Sequence, residues 1–289
     1  MTHPIPKPDQ FQEMREALRD LCSRYDSAYW QQVDHERGYP EAFVTAITEA
    51  GWLAALIPEQ YGGSGLGLAE ASVIMEEINL SGGNAGSCHG QMYNMGTLLR
   101  HGSDEQKKLY LPKIASGELR LQSMAVTEPT TGTDTTKLKT TAVKKGDRYV
   151  INGQKVWISR IQHSDLMILL ARTTPLADVK KKSEGMSIFI VDLHQAIGKG
   201  MEVRPIANMV NHETNEVFFD NLEIPAENLI GVEGQGFKYI LDGLNVAICN
   251  RKLDSLIFTN WAVKDHSIIS IASCAINKPI GITNTLSRN

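Results

Sequence analysis

Tyr149-Val-Ile-Asn-Gly-Gln-Lys-Val-Trp-Ile158 sets β-branched and aromatic residues on both sides of an Asn-Gly dipeptide. Asn-Gly between two such runs is a strong two-residue hairpin signal, because both residues tolerate the positive φ that the turn needs. The stretch therefore predicts two strands joined at Asn152-Gly153. The same character extends outward from Leu121 to about Ile230. Further strands are expected at Leu166–Ala171, Ser187–Asp192 and Glu216–Phe219. Thr173–Ser183, polar and with three consecutive lysines, reads as an exposed loop.

Upstream the period changes to that of helices. Phe11, Met14, Leu18, Leu21 and Tyr25 recur at three- and four-residue steps, as do Val73, Ile74 and Ile78, and Cys88, Met92, Met95 and Leu99. A helix is expected from Pro40 to Gly51, since proline suits a first turn and glycine the position just past a helix end. Ser103-Asp-Glu-Gln106 has the spacing of a capping box, and Pro112 is expected to kink or end the helix it starts. From Gly236 the pattern is helical again. Helices, a β unit and helices in that order predict an α+β protein with separated layers.

Bulk properties narrow the functional classes. The 289 residues suit two packed units, and 42% apolar against 21% charged residues is a globular balance. Four scattered cysteines without C-x-x-C argue against a disulfide framework or a zinc knuckle. His212-Glu213 lacks the second histidine of a metalloprotease pattern, so no metal site is expected. A net charge of -4 with no dense basic run argues against capture of nucleic acid. No apolar run approaches a membrane span, and the first eight residues lack a secretory or import pattern, so the expected location is cytoplasmic. The Gly62–Gly67 cluster fits neither dinucleotide nor P-loop spacing and reads as a helix connection.

Met124-Ala-Val-Thr-Glu-Pro-Thr-Thr-Gly-Thr-Asp134 resembles the V-T-E-P-x-x-G-S-D signature of acyl-CoA dehydrogenases, with Thr133 in place of the usual serine. Asn152-Gly-Gln-Lys-Val-Trp-Ile-Ser159 is similar to that family's N-G-x-K-x-W-I-[ST]-N strand. Ile57–Gly63, Gly102–Gln106, Leu111–Glu118, Ile224-Pro225 and Gly234–Phe237 extend the resemblance over residues 10–246. It implies a helical N-terminal domain (1–120), a β-barrel or sandwich-like middle domain (121–233) and the start of a helical C-terminal domain (234–289).

The resemblance also implies a reaction, an α,β-dehydrogenation of acyl-CoA thioesters with FAD as cofactor. Met124, Val126, Thr127, Gly132, Thr133, Trp157, Ile158 and Ser159 are the cofactor-binding residues it implies, with Thr133 and Asn245 toward the acyl-CoA. A flavin needs a flat slot with amides along one edge, which strands can offer. The plainer reading of Val126 and Trp157 is that they are core residues on strands. Arg160 departs from the family, which commonly has asparagine there.

A dehydrogenase of this kind also needs a glutamate to remove the α proton. A minority of the family carries it in a stretch like L-N-x-E-R, where this chain has Leu244-Asn-Val-Ala247-Ile248. All 19 glutamates precede residue 247, and residues 247–289 carry a charge of +3 against -7 for the rest. No catalytic base is therefore expected in this chain. The expectation is a family member truncated before the C-terminal four-helix bundle and catalytically impaired. Implied partners are acyl-CoA, an electron-transfer flavoprotein as acceptor, and like subunits of a homotetramer. The alternative is a non-catalytic regulatory chain that pairs with a full-length paralogue.

Overall fold

The apolar stripes of the first third become six helices: α1 (Gln12–Ser23), α2 (Ser27–His35), α3 (Glu41–Glu49), α4 (Leu68–Leu80), α5 (Gly86–His101) and α6 (Asp104–Ala115). The structure, a computed structural model, describes residues 9–210 and 212–249, with backbone alone for 243–249. Leu18, Phe43, Ile47, Val73, Ile78, Cys88 and Met92 converge into one core among α1, α3, α4 and α5. α2 buries no residue, which is why no stripe announced it; its start is fixed by Asp26, whose side chain accepts the Tyr29 N–H. The capping box forms as read: Ser103 Oγ accepts from Gln106 N at 3.1 Å, and Gln106 Oε1 accepts from Ser103 N at 3.0 Å.

The middle of the chain forms β1 (Ser123–Ala125), β2 (Thr141–Lys145), β3 (Arg148–Ser159), β4 (Leu166–Arg172) and β5 (Met186–Asp192). The short α7 (Leu193–Ala196), then β6 (Met201–Pro205), β7 (Thr214–Pro225) and β8 (Leu229–Ile230) complete it. The sheet order is β6-β7-β3-β2-β4-β5-β8, with β1 beside β4. Pairing is antiparallel except for β1–β4 and β2–β4. β4 is buried along its whole length, and its side chains alternate between two cores. Leu166, Ile168 and Leu170 meet α5 and α6 through Met95, Leu98, Leu111 and Ile114. Met167, Leu169 and Ala171 meet Tyr149, Ile151, Val217 and Phe219 of β3 and β7. The sheet thus packs one part of itself against another, sandwich-like, while its other face carries the helices.

α8 (Gly236–Cys249) returns onto that helical side. Ile240 enters the core shared with α5. Tyr239 stacks on His101 with ring centroids 4.0 Å apart, and His101 Nε2 lies 3.1 Å from Asp242. Among the described residues, no helix is long and apolar enough to cross a membrane.

Two expectations are corrected. Asn152-Gly153 is not a turn: β3 runs straight through it as one strand of 12 residues. Gly153, at φ 148, marks a register shift against β7 between Ile151 and Gly153. A Cβ there would lie 2.7 Å from Thr140 Cα, so glycine is required by close approach rather than by a turn. The hairpin sits upstream at Gly146-Asp147, between β2 and β3, where Lys145 pairs with Arg148. Pro112 does not end α6, which continues to Ala115. Proline has no N–H to reach the Lys108 carbonyl, yet the last turn of the helix forms beyond it.

Candidate functional site

β1 ends at Ala125, and the chain leaves the ladder through Val126 and Thr127. Glu128-Pro-Thr-Thr131 then closes a turn, with Thr131 N donating to Glu128 O at 3.1 Å and proline at the position that favours its fixed φ. The returning partner is the second half of β3. Lys155 pairs with Val217 and Ile158 with Asn215, so β3 carries one residue more than β7 across this interval. The extra residue is a bulge at Val156-Trp157. It frees Val156 N, which donates to Thr127 O at 3.0 Å. Trp157 sits at φ 63, an uncommon conformation for an aromatic residue, and remains 46% exposed.

The two segments singled out from sequence, 124–133 and 157–159, are therefore neighbours. Their side chains divide. Val126 packs into the helix–sheet core, as the plainer reading has it, whereas Trp157 joins neither core; Ile158 packs into the core within the sheet. Thr127 is buried, Met124, Gly132 and Ser159 are half-buried, and Thr133 and Trp157 are exposed. Thr131 Oγ1 is buried with no hydrogen-bond partner among the described residues. Asn245 and Ala247 lie on the α8 backbone, and their side chains fall outside the described residues.

One pair at this junction was not read from sequence. Lys155, fully buried, places Nζ 2.9 Å from Glu128 Oε1 and donates to Val126 O at 2.9 Å. The Glu128 carboxylate, 4% exposed as a residue, also accepts the Lys139 N–H at 2.6 Å and the Thr140 N–H at 2.9 Å. Burial alone would push the Glu128 carboxyl up; the Lys155 charge and these amides outweigh it and hold it below the usual range. Burial pushes the Lys155 ammonium down to about 8, against the pull of Glu128. Each residue falls inside one of the two quoted motifs, Glu128 in Val126-Thr-Glu-Pro129 and Lys155 in Asn152-Gly-Gln-Lys155, but nothing in their spacing pairs them.

Arg160, the departure from the family pattern, is 5% exposed and at φ 61. Its Nε lies 3.5 Å from Gln122 O, and its guanidinium lies against α5 at two glycines. A Cβ on Gly90 would stand 2.9 Å from Nη2, and one on Gly86 would stand 3.4 Å from Nη1. Helix glycines thus make room for the long side chain. Beside it, burial and then the Arg160 charge push His89 down to about 3. Among the described residues, no group of three or more His, Cys, Asp or Glu could hold a metal ion.

Comparison with known proteins gives consistent matches. The family models described as acyl-CoA dehydrogenase, N-terminal domain, and acyl-CoA dehydrogenase, middle domain, match residues 8–118 and 123–222. Cyclohex-1-ene-1-carbonyl-CoA dehydrogenase of Syntrophus aciditrophicus (strain SB) is 33% identical over 240 residues, 81% of this chain and 56% of that protein. Acyl-CoA dehydrogenase FadE26 of Mycobacterium tuberculosis is 35% identical over 243 residues, 82% and 60% of the two chains. The chain thus spans less than two thirds of the length of these curated relatives. Among solved structures, an acyl-CoA dehydrogenase from Geobacillus kaustophilus superposes with a TM-score of 0.77 at 28% identity, covering 89% of this chain and 69% of that one.

Proposed function

The chain belongs to the acyl-CoA dehydrogenase family, and from that premise we propose that the seam between Thr127 and Trp157 is the flavin-facing wall of an FAD-dependent site for α,β-dehydrogenation of acyl-CoA thioesters. On this reading the domains divide as 1–120, 121–233 and 234–289. One observation carries it: the bulge that hands Val156 N–H to Thr127 O leaves the Trp157 indole exposed next to the Val126-Thr127 segment.

The residues present fit the cofactor. An exposed indole offers an apolar face for a flat ring. The buried Thr131 hydroxyl has a donor to give, next to Gly132 and Thr133, where the family approaches the pyrophosphate and the CoA ligand. Bound FAD would supply the two-electron acceptor for the substrate's β hydrogen. Thr127 would hold the ring edge by its amide and hydroxyl, Trp157 and Ser159 would cover the ring with Ile158 contributing through its backbone, and Thr133 and Asn245 would face the thioester. Ala247 stands where a minority of the family has its glutamate, and alanine accepts no proton, so α8 supplies no base at that position. The proposed activity of these 289 residues is therefore binding of flavin and thioester with weak turnover. An electron-transfer flavoprotein is the proposed acceptor.

The test is FAD titration of the purified chain, followed by visible absorption and by quenching of tryptophan fluorescence. Protein-bound oxidised flavin bands are expected, with weaker binding by Trp157→Ala. A wild-type chain that takes up no FAD overturns the reading. Bleaching of the bound flavin by acyl-CoA at a rate unaffected by installing Ala247→Glu would overturn the assignment of position 247.

A further inference from the structure

Segment 126–140 contains little regular structure, a single 3-10 turn at Thr135–Lys137, yet two buried cations tie it down. Arg172, 5% exposed, donates through Nη2 to Thr136 O at 2.8 Å and through Nε to Leu138 O at 3.4 Å. Lys155 holds the other end at Val126 O, and through Glu128 it reaches the Lys139 and Thr140 amides. A buried ion pair is weak evidence for stability, because well-packed apolar residues of similar volume often do as well. What distinguishes this one is its targets. Besides bonding to each other, Lys155 Nζ and the Glu128 carboxylate bond the backbone at residues 126, 139 and 140 of the same segment.

Peptide geometry makes that consequential. The described chain has no cis peptide bonds, and in a trans peptide the C=O and N–H point opposite ways. Holding Val126 O on the Lys155 ammonium therefore aims Thr127 N–H away from it. The next carbonyl, Thr127 O, is held independently by Val156 N–H from the bulge that carries Trp157. Two consecutive peptide planes are thus fixed relative to Trp157, one by the ammonium and one by the strand.

We propose that Lys155 and Glu128 are positioning residues for the flavin: a buried clamp that orients the Val126-Thr127 peptide and sets its distance from Trp157. The inference rests on the flavin reading above. It gives the lysine in this strand a role that neither core packing nor direct contact with a ligand supplies.

The decisive variant is Lys155→Met combined with Glu128→Leu, which removes both charges together and leaves neither one stranded. Lys155→Met alone serves as the stranded-charge control. Two readouts are made on the full chain. Amide hydrogen exchange of peptides spanning 124–140 reports the clamp without any cofactor, and FAD titration reports its consequence. In the double variant, exchange should quicken in 124–140 and not in α1 or α4. FAD should bind about tenfold or more weakly, the scale on which outer-shell partners act on a site, even where the melting temperature has returned to that of wild type. Unchanged exchange in 124–140 overturns the clamp. Faster exchange with wild-type FAD affinity overturns the positioning role and leaves the flavin reading intact. Absence of FAD uptake by the wild-type chain instead sinks the flavin reading, and this inference with it.

Discussion

Gly153→Ala should destabilise the chain far more than Gly146→Ala, although both glycines have positive φ within eight residues of each other. At Gly146, φ is 62 and a Cβ would meet nothing within 4 Å. The cost there is the left-handed strain alone, roughly 1–2 kcal/mol. It is offset by about 0.4–1 kcal/mol from the lost freedom of glycine in the unfolded chain. At Gly153, φ is 148, and a Cβ would stand 2.6 Å from Thr140 Oγ1 and 2.7 Å from Thr140 Cα. Strain of order 1–3 kcal/mol then adds to overpacking of about 1–3 kcal/mol. After the same offset the difference between the two variants is about 3 kcal/mol.

For a chain of this size about 1 kcal/mol shifts the melting temperature by roughly 2–4 °C. Gly153→Ala should therefore melt roughly 6–12 °C below Gly146→Ala when both are followed by far-ultraviolet circular dichroism in one buffer. Because one contact is backbone, adding Thr140→Ala should not rescue Gly153→Ala. Equal melting temperatures for the two glycine variants would refute the close-approach argument, as would full rescue by Thr140→Ala.

Three further outcomes are expected. Gly90→Ala gains about 1 kcal/mol of helix propensity but meets Arg160 Nη2 at 2.9 Å and Gln122 O at 3.1 Å, so it should lower stability, and Arg160→Asn should restore part of the loss. Strict additivity of the two in a denaturant double-mutant cycle would show that they do not touch. Glu77, 1% exposed, accepts from Arg19 and Arg15; burial raises its carboxyl, but both guanidiniums outweigh this and hold it low. Its contribution is thus present above the ordinary carboxylate range and is lost as pH falls through the lowered folded value. Glu77→Gln should cost about 3 kcal/mol at pH 7 and flatten the acid limb of a stability–pH curve; an unchanged limb would count against it. Ser103→Ala should cost about 1 kcal/mol, and Gln106→Ala more, since Nε2 also donates to Glu227 O at 2.7 Å and Leu229 O at 2.9 Å. The reverse order in urea midpoints would contradict that bonding.

Local chemistry was legible where it acts locally. Ser103 and Gln106 sit three residues apart and bond to each other's backbone, so their spacing declared the start of α6. The stripe of α1 was visible because one face of it is buried, whereas α5, buried on every side from Gly86 to Leu98, showed only the spacing of its large apolar residues. α2 fully buries no residue, and its N-cap at Asp26 was not read from sequence. Asn152-Gly153 misled because β3 is long and has a partner on each edge: β2 beside 148–152 and β7 along most of its length. One strand with a glycine-marked irregularity looks, in sequence, like two strands and a turn. The true turn lies in Lys145-Gly-Asp-Arg148, where charged neighbours hide the alternation.

The candidate site was legible as a place rather than as an arrangement. Segments 124–133 and 157–159 were singled out and do meet. Nothing in their spacing indicated that Val126 and Ile158 would turn into two different cores, or that a bulge would rotate Trp157 outward. Lys155 and Glu128 are 27 residues apart, and their pairing is a product of the sheet. Arg160 looked anomalous by itself and is accommodated by Gly86 and Gly90, some 70 residues upstream, a pairing visible only in three dimensions.

These placements brace the seam from both sides. Val126 is anchored in the core that the sheet shares with α5, α6 and α8, and Ile158 in the core that the sheet closes on itself. Between the anchors lie Thr127, held through its carbonyl, and Trp157, held at a positive φ that neighbouring bonds must enforce. A residue in that conformation persists only where both flanks are fixed, and here the flanks are Lys155, locked to Glu128, and Ile158, whose carbonyl accepts from Asn215 Nδ2 at 3.1 Å. The strain at Trp157 and the buried charge at Lys155 are therefore linked costs. Each is tolerated because the two cores over-determine the strand, and together they fix the Trp157 indole relative to the Thr127 carbonyl, the placement on which the proposed flavin reading depends.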